Sequence, residues 1–380
     1  MLAVTGIFLL MLVAAGLLRM LRPDHVDVPL VRIVPRVPSM LDYDELDSTD
    51  IVPRPEGTPQ VAGADTTVHP VSPEPPDAEP PHERVPPPVP PPIPAKEARF
   101  SVEIKDVINP YDVLGLFVMP NEKIDLETTF TLPDGDYTLT AEAGHSNELE
   151  SGQWSWTAPD KPGVYALQLI GPYRSMNFNV FVQTPFDNHH PVLKGYPIGS
   201  YESRPLRGDP QFKPPRGLIE VNDASEKVFV APHFTLGNFT CHEPGDPKFV
   251  ALDERLLLKL EILLEKVNES GIKAETFSVM SGYRTPQYNK AIGNTTRYSL
   301  HLFGRAADIF IDEDRDGKMD DLNRDGRIDV EDARVLYNLI DDMRAQTWYQ
   351  PFLGGLGLYG PNARRGPFVH VDTRGYVARW

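Results

Sequence analysis

The placement of proline most limits what this chain can fold. Across residues 73–94 more than half of the positions are Pro, with runs at Pro86-Pro87-Pro88 and Pro90-Pro91-Pro92. Proline lacks a backbone N–H and has a fixed φ, so the stretch settles into extended polyproline geometry. The polar, acidic flank before it, roughly 23–72, is Pro-spotted and reads as disordered as well. Folded structure is expected only beyond about residue 96, after a 23–96 linker able to reach on the order of 100 Å.

Ahead of the linker, residues 2–18 are apolar and uncharged, followed by Arg19 and Arg22. That length falls between a signal-peptide core and a full membrane span, so residues 1–22 are expected to be a membrane anchor or signal segment. Arginines after the run would by themselves favour a cytoplasmic remainder. Two charges are a weak signal, and the chemistry further along the chain makes an extracytoplasmic location, in the periplasm or cell envelope, the expectation.

The formal charge of −17, with no dense Lys/Arg patch, excludes a phosphate-backbone partner, and no nucleic acid is expected. The one cysteine, Cys241, cannot form an intramolecular disulfide and is expected to be a small buried residue. Metal ligands must therefore be His and carboxylate.

Residues 97–185 hold short β-rich runs: Ser101-Val102-Glu103-Ile104, Leu126-Glu127-Thr128-Thr129-Phe130, Tyr137-Thr138-Leu139-Thr140, a run over 164–169 and Phe178-Asn179-Val180-Phe181-Val182. Turn signals such as Pro133-Asp134-Gly135-Asp136 separate them, which predicts an all-β sandwich. The stretch 156–165 resembles the late strands of immunoglobulin-like modules in bacterial surface proteins. A spacer is the expected role, with glycan or partner binding as the alternative. Residues 190–380 open with loops. Leu256, Leu257, Leu260, Leu263, Leu264 and Val267 then recur at helical spacing, with Gly271 beyond, and predict a helix over 252–268. A strand over 276–280 leads into Ser281-Gly282-Tyr283-Arg284-Thr285.

The chemistry concentrates in Ser299-Leu300-His301-Leu302-Phe303-Gly304-Arg305-Ala306-Ala307-Asp308. A catalytic zinc takes three protein ligands and leaves one position for water. His301 and Asp308 flank Gly304, which permits a sharp turn, and Ala306 and Asp308 then share one face of a strand. His370 fits as the third ligand, in a strand-like run that puts Phe368, His370 and Asp372 on one face.

This pattern resembles the LAS-type zinc peptidases, the superfamily of lysostaphin, D-Ala-D-Ala carboxypeptidases and hedgehog proteins, and in particular murein endopeptidases of the MepK kind. The resemblance rests on Ser281 to Thr285, Ser299 to His301, Gly354-Gly355-Leu356-Gly357-Leu358-Tyr359, Phe368 to Thr373, and Trp380. It implies an α+β zinc domain after the β module, zinc on His301, Asp308 and His370, and Arg284 as a substrate-orienting or oxyanion-stabilising cation. Carboxypeptidases of this group carry a Glu three residues before the last His, and other members a His two residues before it; here those positions are Pro367 and Phe368. The general base is thus unassigned. Asp372 is the nearest candidate, with orientation of His370 as its other reading.

An insertion at 312–332 contains two D-x-[DN]-x-D-G loops that resemble dockerin and thrombospondin type-3 calcium repeats. The first offers Asp312, Asp314, Asp316, the Lys318 carbonyl and Asp320, with Asn323 in the last place. The second offers Asp321, Asn323, Asp325, the Arg327 carbonyl, Asp329 and Asp332. Structural calcium is expected there, neutralising the cluster so that the following helix can pack.

The resulting expectation is a membrane-tethered murein endopeptidase that hydrolyses peptide bonds in peptidoglycan. The alternatives are a D-Ala-D-Ala carboxypeptidase with the same metal centre and a zinc-bearing module that binds peptidoglycan without cutting it. His189, His190, His233 and His242 are expected in surface or structural roles.

Overall fold

The computed structural model describes residues 100–130, 136–172 and 174–380. The expected 1–22 segment and the whole of the expected 23–96 linker lie outside them. Among the described residues no helix is long and apolar enough to cross a membrane.

Nine strands come first: β1 (Ser101–Ile104), β2 (Val107–Asn109), β3 (Val113–Val118), β4 (Lys123–Phe130), β5 (Thr138–Ala141), β6 (His145–Glu150), β7 (Gln153–Thr157), β8 (Gly163–Ile170) and β9 (Ser175–Val182). One sheet runs β2-β1-β4-β7-β6 and the other β3-β9-β8-β5. All pairs are antiparallel except β3 with β9. Period-two burial builds their shared core, from Val102, Ile104, Leu126, Trp154, Trp156, Leu167, Leu169, Phe178 and Val180. Sequence runs mark β1, β4, β5, β8 and β9 but not β2, β3, β6 or β7, and β3 and β6 are missed for opposite reasons. Strand β3 (Val-Leu-Gly-Leu-Phe-Val) is buried on both faces and so lacks alternation. Strand β6 (His-Ser-Asn-Glu-Leu-Glu) is exposed throughout and is held only by its register with β7.

The outer face of β3 is covered by the second half of the molecule. A Cβ on Gly115 would lie 3.0 Å from Val230. The Phe117 amide donates to Glu254 at 3.0 Å, and Lys105 Nζ bridges Glu254 at 2.5 Å and the Phe117 carbonyl at 2.6 Å. The β module is therefore packed onto helix α1 (Glu254–Glu269) rather than strung beside it. That helix starts two residues later than its leucine pattern predicts, because the Asp253 side chain accepts from the Arg255 amide and caps it. Its leucines are fully buried, each worth roughly 2 kcal/mol relative to exposure. Three charged residues, Glu254, Lys259 and Glu261, are buried with them.

The site-bearing sheet has the order β10-β11-β13-β12-β14, from β10 (Ser278–Ser281), β11 (Ala306–Phe310), β12 (Gly355–Tyr359), β13 (Phe368–Asp372) and β14 (Ala378–Arg379). Helix α2 (Pro286–Ala291) follows β10, and helix α3 (Val330–Met343) packs on β12 and β13. Alternation divides the sheet. Ala307, Ile309, Leu356, Val369 and Val371 join the main core, whereas Ala306 belongs to a separate cluster with Phe212 and Leu300. His370 and Asp308 alternate onto that second face.

Candidate metal centre

Strand register assembles the site. Asp308 stands opposite both Ser281 and His370, and His370 opposite Gly357, so one row crosses four strands. Directly paired residues on one face have Cβ atoms about 5 Å apart, which brings Asp308 and His370 together although 62 positions separate them. His301 arrives from the short helical turn Leu300–Phe303, which ends at Gly304. There φ is +66°, and a Cβ would lie 2.1 Å from the Ala251 carbonyl oxygen, so glycine alone permits the turn.

The facing donor atoms are His301 Nε2, His370 Nδ1 and Asp308 Oδ1. Their separations are 3.2 Å between the imidazoles, 3.3 Å from His301 to Asp308, and 2.9 Å from His370 to Asp308. Donors about 2.0–2.2 Å from a tetrahedral zinc stand about 3.3 Å apart. The spacing and the two-imidazole, one-carboxylate donor set therefore fit a catalytic zinc with an open position. All three side chains are buried.

Each donor is oriented from behind. His301 Nδ1–H donates to the Gly282 carbonyl at 2.7 Å, leaving Nε2 as the lone-pair nitrogen. His370 turns Nε2 toward Asp372 at 3.2 Å. Asp308 keeps Oδ2 for Arg284 Nη2. Burial would raise the Asp308 pKa, but the charges of His301 and Arg284 hold it well below the usual carboxylate range. Burial, helped by Arg284, lowers that of His301. Burial also works against protonation of His370, yet its bonds to Asp308 and Asp372 prevail and raise its pKa.

The run from Ser281 to Thr285 acts as one bracket for this cluster. Ser281 Oγ accepts from Arg284 Nε at 2.8 Å, and the Gly282 carbonyl fixes His301. Tyr283 bonds Tyr201 at 2.7 Å between hydroxyls, inside the core. Thr285 caps α2 through the Tyr288 amide and donates to Glu243 at 2.7 Å.

Asp372 is fully buried and already engaged. Oδ1 accepts from the Gly355 amide at 2.7 Å and the Arg374 amide at 3.1 Å, while Oδ2 accepts from Arg374 Nη2 at 2.7 Å and meets His370. Against the rise that burial would cause, Arg374 and His370 keep its pKa well below normal. Both of its oxygens are thus occupied beside His370, and little capacity remains for a further hydrogen bond. Its surroundings also explain the glycines of β12. A Cβ on Gly355 would lie 2.4 Å from Asp372 Oδ2, and one on Gly357 would lie 2.5 Å from Trp380 Nε1. Trp380 donates to the Tyr359 hydroxyl at 2.6 Å, with its ring 5.2 Å from that of His370.

Residues 233–330 match the Peptidase M15 family. This M15-like stretch contains Arg284, His301 and Asp308 and ends before His370, which the sheet brings in from outside it. The match supports a metallopeptidase. No curated protein matches the chain.

The acidic insertion is organised differently. Its two loops repeat one pattern nine residues apart: Asp312 accepts from the amides of Asp316 and Gly317, and Asp321 from those of Asp325 and Gly326. Asp316 and Asp325 each accept from the amide two residues on, those of Lys318 and Arg327. Carboxylate oxygens of Asp312, Asp314 and Asp320 lie within 4.8 Å of one another, without Asp316. In the second loop no three acidic groups converge in this way. Asp329 and Asp332 form the capping box of α3 instead, and buried Asp332 also accepts from the Leu322 and Asn323 amides. The other histidines have ordinary partners: His233 bonds Glu261 at 2.7 Å, His242 the Met280 carbonyl at 2.7 Å, and His190 the side chain of Asp187 at 2.9 Å, while the His189 amide donates to Asp187. Cys241 is buried, and burial raises its thiol pKa.

Proposed function

We propose that the region 190–380 is a zinc peptidase that cleaves peptide bonds in peptidoglycan, with His301, Asp308 and His370 as the metal ligands. The observation that carries this reading is the mutual spacing of the three donor atoms. Zinc in such a site supplies a bound water of lowered pKa and polarises the scissile carbonyl. Arg284, held by Ser281 and Asp308, presents a fixed cation where negative charge grows on the carbonyl oxygen, a contribution of about 3–4 kcal/mol for one well-placed donor. Asp372 keeps the His370 ring in place.

Purified full-length protein should carry about one zinc, and His301→Ala should lose both the metal and muropeptide cleavage. Full cleavage by that variant would end the assignment. Digestion of cross-linked dimers against free pentapeptides separates an endopeptidase from a D-Ala-D-Ala carboxypeptidase. A second reading, a zinc-bearing module that binds peptidoglycan without cutting it, draws support from the engagement of Asp372 and the lack of a Glu or His at positions 367 and 368. Binding to sacculi with no released product, zinc loaded, would select it.

The same proposal takes residues 1–22 as an anchor or signal segment and 23–96 as the tether. The two-sheet region 97–185 is an immunoglobulin-like spacer, and the protein is extracytoplasmic. It assigns structural calcium to the 312–332 loops.

A further inference from the structure

Arg284, Arg305, Arg374 and Arg379 each meet a carboxylate: Asp308, Asp253, Asp372 and Asp341. Arg365 does not. Among the described residues it has no acidic partner, and its guanidinium rests on aromatic faces, with Cζ 4.3 Å from the centre of Phe368 and 5.6 Å from that of Tyr359. Those two rings are a stacked cross-strand pair, 4.5 Å apart and 3° from parallel.

The cation is held in place before any ligand arrives. Asn362 closes the turn by accepting from the Arg364 and Arg365 amides and donating its own amide to the Arg365 carbonyl. Arg365 Nη1 donates to the Gly360 carbonyl at 3.3 Å. A stacked guanidinium with a bound backbone loses little further freedom when it pairs, and its planar fork suits a carboxylate.

Its position relates it to the metal row. Phe368 precedes His370 by two residues on the same strand face, a step of about 7 Å. Asp308 and Arg284 both act electrostatically on Arg365. A peptide whose scissile carbonyl sits at the His301–Asp308–His370 cluster would carry the groups one or two residues further on past Phe368, at about 3.8 Å per residue.

We infer that Arg365 is a specificity-determining residue that binds a carboxylate of the substrate peptide, one or two residues from the scissile bond. The inference rests on the peptidase reading for its substrate but predicts binding independently of cleavage. The carboxylate is either the peptide's terminal α-carboxylate or an acidic side chain near the bond, and selective amidation distinguishes the two.

Calorimetry on the metal-depleted full-length protein, in which nothing is cut, tests it with a peptidoglycan-derived tetrapeptide in three forms: unmodified, amidated only at the terminus, and amidated only on its side-chain carboxylates. Wild type should bind one amidated form at least about 10-fold more weakly than the acid, through loss of a charge-assisted pair. Arg365→Gln should bind all three forms equally and Arg365→Lys should recover part of the preference, with the zinc content of the reloaded variants equal to wild type. Equal preference for acid and amide in wild type, or an undiminished preference in Arg365→Gln, overturns the inference. A wild-type protein that discriminates in binding yet cleaves nothing when zinc is restored would refute the peptidase reading and leave the carboxylate site standing.

Discussion

Two carboxylate-rich regions of this molecule lie only a few residues apart in the chain and are built on opposite plans. In the cluster of His301, Asp308 and His370 every donor is buried, and each is oriented by a further group: the Gly282 carbonyl, Arg284 and, two residues along the same strand, Asp372. In the 312–332 loops the carboxylates are satisfied mostly by amides two to five residues away in their own loop. The first site is organised by the sheet and the second by the local chain. The buried cluster should tolerate no loss of a member, because a partner left behind is an uncompensated charge in a dry place. The loops should give way gradually.

The largest effect expected is at the centre of the buried cluster. Asp308→Asn should cut zinc affinity by more than the roughly 100-fold typical of an outer partner. It should also destabilise the protein by about 3 kcal/mol, by leaving Arg284 without its buried counter-ion. Metal analysis and denaturant unfolding measure both; normal zinc retention would break the contrast. Next, Arg284→Gln should lower kcat by roughly 10²–10³ with zinc still bound, read from muropeptide kinetics. Asp372→Asn should weaken zinc about 10- to 100-fold by loosening His370, measured by competition with a chelator.

Lys259 sharpens the comparison through pH. It lies behind the site with Nζ on the Asp372 carbonyl at 2.6 Å, and burial pushes its pKa down to about 7. Between that value and the ordinary lysine value near about 10.4, the unfolded chain binds the extra proton. The contribution of this group to stability therefore rises with pH across the window, by at most about 1.4 kcal/mol per unit, and is lost as pH falls through about 7. The difference in unfolding free energy between wild type and Lys259→Met should follow that slope; a flat difference would show that the ammonium is not desolvated. The smallest effect belongs to the loops. Millimolar calcium should raise the melting temperature by a few degrees, about what 1 kcal/mol does for a domain of this size. No shift at all would remove the calcium assignment.

The site was unevenly legible in the sequence. His301, Gly304 and Asp308 could be read together because a turn and one strand separate them, and β13 showed its alternation at Phe368, His370 and Asp372. The full engagement of Asp372 was not legible, since Gly355 becomes its neighbour only when β12 pairs with β13, although Arg374 lies just two residues on. Arg365 escaped notice for a similar reason. An arginine in a loop carries no signal until two rings stack beneath it. In the fold, β3 and β6 were missed because burial on both faces, or on neither, erases the period on which strand reading depends.

By itself the sequence determined where local structure forms: the helix of leucines, the turn at Gly304, and the repeated acidic loops. Such features depend on φ, side-chain period and hydrogen bonds within a few residues, all of which a linear pattern records. Only the tertiary structure decided which distant groups meet. Strand pairing set His370 against Asp308 and stacked Tyr359 on Phe368 beside the Arg365 guanidinium. Register is a property of the assembled sheet, and no single strand contains it.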